Sequence, residues 1–295
     1  VNYGYFFCFV AVVSWGVAVV PIKYARQDPF AGLALGLASG LGLVTLAWLL
    51  AGKAHLPQIA SREWFFLAAG GIFRFPLATY FYYEGIQRAG IMSATPLGRL
   101  KPVFVCLIVA SLGWESPGAG AYTGAALAFL GAFLLFPRKL PVVPGEQPAD
   151  RRRSGMVFAV LASLSWALGD IFLSEASGPD AGLDPIGRTV LALAIGAVAY
   201  WTLLAVSGRL RSIQRLSLKA KGWYALHGIL SFGIGTLSMV AAFDSLPVST
   251  VSLITSAWPL ISVMIGYMLF RERISPTQAV GLLITLAAAT AVLVV

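Results

Sequence analysis

Charge is scarce in this chain. Of 295 residues, 12 are Asp or Glu, 21 are Lys or Arg and 2 are His, so charged residues make up 11%, where a soluble globular domain carries roughly 25%. With 58% hydrophobic residues and a mean hydropathy of +0.83, a water-soluble domain is excluded and an all-α integral membrane protein is expected. Cysteine is nearly absent: Cys8 and Cys106 both fall inside apolar runs, which leaves neither a disulfide framework nor a thiolate metal site. The two histidines, His55 and His227, lie in different halves without a His-Glu-x-x-His or Asp-rich motif. No metal, catalytic group or cofactor is therefore expected, and an intramembrane enzyme finds no support. Nucleotide-binding motifs are also missing, which argues against direct ATP drive.

What the chain does have is long apolar runs. A membrane helix needs about 20 apolar residues, and charge, Pro or Gly divides the sequence into ten such spans, at about 3–25, 29–51, 63–86, 89–112, 117–136, 155–175, 185–207, 222–243, 247–270 and 276–295. The first run lacks a basic n-region and an A-x-A site, so it is expected to be a true span and not a cleaved signal. The chain opens at Val1, and a missing tail is expected. The one marked shift in composition, with Pro137, Pro141, Pro144, Pro148 and then Arg151, Arg152 and Arg153, reads as a linker at 138–154 between halves at 1–137 and 155–295.

Sliding the second half over the first at an offset of 157 aligns Gly71 with Gly228, Pro102 with Pro259, Glu115 with Glu272 and Gly124 with Gly281. Earlier in each half the offset drifts, pairing Ser14-Trp15 with Ser165-Trp166, Asp28-Pro29 with Asp184-Pro185, and Gly52 with Gly208. Each half holds five spans. Because five is odd, the second copy enters from the opposite side, which gives two inverted five-helix repeats, an architecture found chiefly in secondary transporters with a site near the midplane.

These residues carry a resemblance. A Pro, a Glu thirteen residues on and a Gly in the last helix of each half (Pro102, Glu115, Gly124; Pro259, Glu272, Gly281), within two five-helix halves, look like the EamA-type drug/metabolite transporter superfamily. The resemblance covers nearly the whole chain and implies a transporter fold, but its members carry amino acids, other metabolites, sugar nucleotides and organic phosphates, so it does not select a substrate. It implies a structural role for Glu115 and Glu272 at helix ends, and alternating access.

Fifteen Lys and Arg face the linker side and three, Lys53, Arg62 and Arg188, the other. The positive-inside rule then puts the linker in the cytoplasm of a plasma (inner) membrane and both termini outside, whereas the resemblance implies cytoplasmic termini; the charge bias is preferred. The net charge of +9 reads as this topology signal and as contact with anionic membrane lipids, not with nucleic acid.

The remaining cations, Arg74, Arg99 and Lys101, fall at mid-span. At that depth each costs roughly 2.5–3.5 kcal/mol, so all three facing lipid would cost about 8–10 kcal/mol; they are expected to face protein or a wet cavity. On a helical wheel Arg99 shares a face with Met92, Thr95, Pro102 and Cys106, while Lys101 lies about 200° away, which favours Arg99 as the cavity residue. Arg74 and Arg99 suit capture of a carboxylate or phosphate, the alternative being an internal ion pair with Asp170 or Glu84. Asp170 reads equally as counter-ion, ammonium ligand or carrier of a coupling proton. The stripe Ser249, Ser252, Ser256 and Pro259 is polar substrate contact or close packing; Trp15, Trp166 and Trp258 are cavity wall or packing. Pro76, Pro96, Pro102, Pro247 and Pro259 suit hinges, and Tyr80, Tyr82 and Tyr83 an interfacial belt. Gly32, Gly36 and Gly40, and Gly120 and Gly124, suit tight helix contacts.

The leading expectation is a secondary transporter, an exporter, of a small organic anion or amino acid, with proton or counter-substrate coupling open. A flippase for an anionic lipid or lipid-linked sugar, and a non-transporting sensor or assembly subunit, are the alternatives.

Overall fold

The computed structural model describes residues 3–25, 27–52, 59–89, 94, 97–135, 149–178, 181–270 and 275–291. Among these the regular structure is entirely helical. The helices are α1 (Tyr3–Val17), α2 (Val19–Ala25), α3 (Pro29–Leu50), α4 (Ser61–Ile72), α5 (Ala78–Ala89), α6 (Lys101–Ser111), α7 (Ala119–Leu135) and α8 (Ala149–Glu175). They continue with α9 (Pro185–Val206), α10 (Leu210–Arg215), α11 (Leu218–Gly228), α12 (Thr236–Ala242), α13 (Val248–Thr255), α14 (Trp258–Phe270) and α15 (Pro276–Ala291). Among the described residues seven stretches are long and apolar enough to cross a membrane: Tyr3–Ala25, Pro29–Leu50, Ser61–Ala89, Ala149–Glu175, Pro185–Val206, Leu218–Ala242 and Val248–Leu269. Ala119–Leu134 and Pro276–Ala291 are shorter apolar helices. Large apolar side chains such as Phe6, Phe9, Leu203 and Tyr267 are exposed on the outside of the bundle, as a lipid solvent allows.

Local chemistry accounts for the ends. Asp28 accepts the Phe30 N–H at 2.9 Å and Asp184 the Gly187 N–H at 2.8 Å, each before a Pro in the first turn, so the two Asp-Pro pairs start α3 and α9 alike. Both helices run out at a left-handed glycine, Gly52 with φ 65° and Gly208 with φ 68°. Pro21 denies Val17 an acceptor role one turn earlier, and the first span breaks between α1 and α2.

Several expected boundaries move. Helix α8 begins at Ala149, inside the segment read as linker, where Asp150 in its first turn complements the helix dipole; residues 138–148 lie outside the described residues, as do Glu272 and Pro96. The span expected at 247–270 is two helices, α13 and α14, joined at Ser256 and Ala257, whose N–H groups reach back to Leu253 O at 3.2 Å and Ile254 O at 3.1 Å. Likewise Gly98–Leu100 is a tight 3-10 turn before α6. Two π-helical segments, Phe73–Leu77 and Ile229–Gly235, interrupt the spans that hold them.

Gly32, Gly36, Gly40 and Gly124 lie at close helix contacts. A Cβ on Gly40 would sit 2.8 Å from Gly228 O, and one on Gly124 would sit 3.0 Å from Ala288 O, so α3 lies directly on α11 and α7 on α15. Arg188, counted above among charges of the outer side, is 2% exposed, its Nη2 donating to Asp244 at 2.6 and 2.7 Å.

Candidate substrate cavity

A cavity of about 230 Å³ is lined by residues from both halves of the chain. Its wall falls into pairs at the same 157-residue offset: Arg74 and Ser231, Phe75 and Phe232, Thr79 and Thr236, Gly98 and Thr255, Arg99 and Ser256, Lys101 and Trp258. Trp15 and Trp166, the pair with the drifting offset, complete it. Each π segment and each helix break thus contributes to the wall, because a segment that leaves α-helical register turns backbone and side chains toward the centre. The lining continues to Val19, Ile22, Tyr82 and Tyr83, in the linker-side halves of their spans, so the cavity extends toward the linker side. On the opposite side Arg62 pairs with Glu175 at 3.0 Å and Glu63 accepts the Gly182 N–H at 2.8 Å, tying the halves together. There Glu115 accepts the N–H groups of Val248 at 2.5 Å and Ser249 at 3.2 Å, capping α13 across the halves.

The charges are arranged unequally. Asp170, fully buried on α8, accepts from Arg74 Nη1 at one oxygen and from Lys101 Nζ at 2.7 Å at the other. Gly169 makes this possible: a Cβ there would lie 2.6 Å from Arg74 Cβ, so only a glycine lets α8 approach the π segment this closely. Arg99 has no carboxylate partner among the described residues; its guanidinium lies 4.0 Å from the centre of the Trp258 ring, a cation–π stack. The Trp15 ring faces both Arg74, at 5.3 Å, and Lys101, at 6.0 Å. That ring is held from below, because Trp15 Nε1 donates to Ser231 O at 2.9 Å and Ser14 Oγ to Leu230 O at 2.6 Å. The acceptors are carbonyls of the π segment, so a backbone irregularity in one half is satisfied by side chains of the other. Among the described residues three cations therefore stand against one carboxylate.

Of the residues singled out in the sequence, Arg74, Arg99, Lys101, Trp15, Trp166, Ser256, Trp258 and Pro102 line the cavity. Asp170 stands behind the wall as counter-ion. Ser252 does not line it: it is 0% exposed, and its hydroxyl has no hydrogen-bond partner. The wheel separation of Arg99 from Lys101 fails because the 3-10 turn breaks the helix between them, and both reach the cavity. Tyr82 and Tyr83 line the cavity, with the Tyr82 ring 5.3 Å from Trp166. Glu84 pairs with Arg88 at 2.8 Å, not with a midplane arginine. Pro76 lies within the first π segment, Pro247 precedes α13, and Pro102 and Pro259 are second in α6 and α14. Sequence reasoning missed Phe75, Thr79, Thr236, Ser231, Phe232, Thr255 and His227. Except for His227, all follow from carrying the offset through the neighbours of Arg74 and Arg99.

A bundle of apolar helices around a charged, aromatic-walled cavity defines a multi-pass membrane protein of the transporter kind. The chain belongs to the EamA-like transporter family, of the drug/metabolite transporter superfamily, which matches residues 2–136 and 153–294. It is 25% identical over 284 residues to a WAT1-related chloroplastic protein of Arabidopsis thaliana, a match covering 93% of this chain and 65% of that relative's length. A protein of known crystal structure shares its fold with a TM-score of 0.80 over 99% of both chains, at 16% identity. The family consists of membrane transporters, which implies a small-molecule substrate and a lipid environment.

Proposed function

We propose that the chain is a secondary transporter that exports a small organic anion or amino acid across a plasma (inner) membrane, by alternating access around the central cavity. The observation that carries this reading is the excess of positive charge on the cavity: Arg74, Arg99 and Lys101 against Asp170 among the described residues. Uncompensated cations at mid-membrane are retained where they meet a substrate. The architecture belonging to it is ten membrane helices in two inverted five-helix repeats, at 1–137 and 155–295. It is supported by the matched wall pairs, the two π segments and the matched breaks before Lys101 and Trp258. Pro76, Pro96, Pro102, Pro247 and Pro259 are the hinges of this motion, and Ser256 a polar group along its path. The linker-side reach of the cavity suits loading from the cytoplasm, where the charge bias puts residues 138–154. Transport is driven by a proton or a counter-substrate.

Reconstituted proteoliposomes loaded with labelled organic anions and amino acids test this. Efflux that is saturable in the native protein and lost in Arg99→Ala, with normal expression and folding, is expected; undiminished efflux by that variant removes the site assignment.

A further inference from the structure

The cavity discriminates between the two substrate classes just named. An amino acid brings an ammonium as well as a carboxylate, and an ammonium needs an anionic or strongly accepting partner when it leaves water. Asp170 does not offer one: both oxygens are taken, by Arg74 and by Lys101, and its exposure is 0%. Among the described residues no other carboxylate lines the cavity. The Ser231 carbonyl, freed by the π segment, already accepts from Trp15 Nε1 at 2.9 Å and Thr236 Oγ1 at 3.2 Å. Among the described residues a substrate ammonium would therefore meet three cations and one carboxylate whose two oxygens are already taken by two of them.

Arg99 presents the opposite situation. It is half-buried, pairs with no carboxylate among the described residues, and holds its guanidinium carbon 4.0 Å from the centre of the Trp258 ring. With no carboxylate on it among the described residues, its N–H groups are available for the bidentate fork that a carboxylate accepts. The same lining holds the rings of Trp15, Trp166, Tyr82 and Phe232, faces on which a planar apolar body packs.

We propose that the substrate is an aromatic organic acid without an ammonium group, its carboxylate held by Arg99 and its ring by the Trp15–Trp166 wall. This rests on the reading of the cavity as the transport site and narrows it. Calorimetric titration of the full chain in lipid nanodiscs tests it with four probes of related skeleton: 3-phenylpropionate, L-phenylalanine, phenethylamine and propionate. 3-Phenylpropionate is expected to bind about tenfold or more tighter than L-phenylalanine, a ratio that one unmade charged hydrogen bond produces. Phenethylamine should not bind, propionate should bind more weakly, and Arg99→Gln should abolish 3-phenylpropionate binding while Arg99→Lys keeps part of it. L-phenylalanine binding as tightly as 3-phenylpropionate overturns this inference and leaves anion transport standing. Phenethylamine binding tightest overturns both. Propionate matching 3-phenylpropionate removes the ring contact, binding unchanged in Arg99→Gln removes the Arg99 contact, and silence of all four probes overturns the proposal.

Discussion

Replacing Asp170 by Asn removes one negative charge and almost no volume, yet it strikes the best-buried ionic group in the protein. Side-chain exposure at this triad is 1% for Asp170, 9% for Arg74 and 13% for Lys101. Solvent therefore cannot take over the role of the lost carboxylate. Breaking a buried pair by removing one partner costs about 3–5 kcal/mol, because the other charge stays uncompensated, and here two cations are left facing each other. The expected result for Asp170→Asn is a loss in that range, read as a lower midpoint of SDS-driven unfolding in mixed micelles followed by tryptophan fluorescence. Taking away one of the stranded cations should give part of it back, so Asp170→Asn/Lys101→Met should be more stable than Asp170→Asn alone. If Asp170→Asn unfolds within about 0.5 kcal/mol of the native protein, a loss no larger than a surface substitution gives, the carboxylate is not holding the two cations and the charge argument for the cavity fails.

Two further perturbations follow from the packing. Gly169→Ala places a methyl group 2.6 Å from Arg74 Cβ; overpacking of this kind costs about 1–3 kcal/mol, and the variant should unfold earlier and transport poorly, whereas native behaviour would mean that α8 need not approach the π segment. Glu115→Ala removes the acceptor of the Val248 and Ser249 N–H groups and should cost about 1 kcal/mol, as loss of a helix cap does, seen as faster amide exchange at the start of α13; unchanged exchange there would contradict the cap.

Much of this is legible in the sequence, and the reasons are local. Asp28-Pro29 and Asp184-Pro185 announced two equivalent helix starts, and Gly52 and Gly208 the matching ends, because capping chemistry depends on a few adjacent residues. Arg74, Arg99 and Lys101 stood out because mid-membrane charge is expensive wherever it faces. What stayed hidden depends on departures from ideal helix geometry. The 3-10 turn at Gly98–Leu100 takes Arg99 out of the helix that begins at Lys101, and both reach the cavity, which a single helical wheel does not anticipate. The π segments bring Thr79, Ser231 and Thr236 inward although none is charged or periodic. Tyr82 and Tyr83 read as interfacial aromatics from sequence position, which does not show that they line the cavity. Arg188 escaped notice as a buried group because its partner Asp244 lies 56 residues away.

Charge-selective labelling measures directly whether this cavity is electropositive and open to an anion. Ser256, the offset partner of Arg99 on the wall, is replaced by Cys in a chain whose own Cys8 and Cys106 are buried at 0% exposure. An anionic and a cationic methanethiosulfonate are then compared, each rate divided by its rate with a free thiol. The account predicts that the anionic reagent reacts faster at this position and that Arg99→Gln shifts the ratio toward the cation. Faster labelling by the cationic reagent in the otherwise native protein would contradict it.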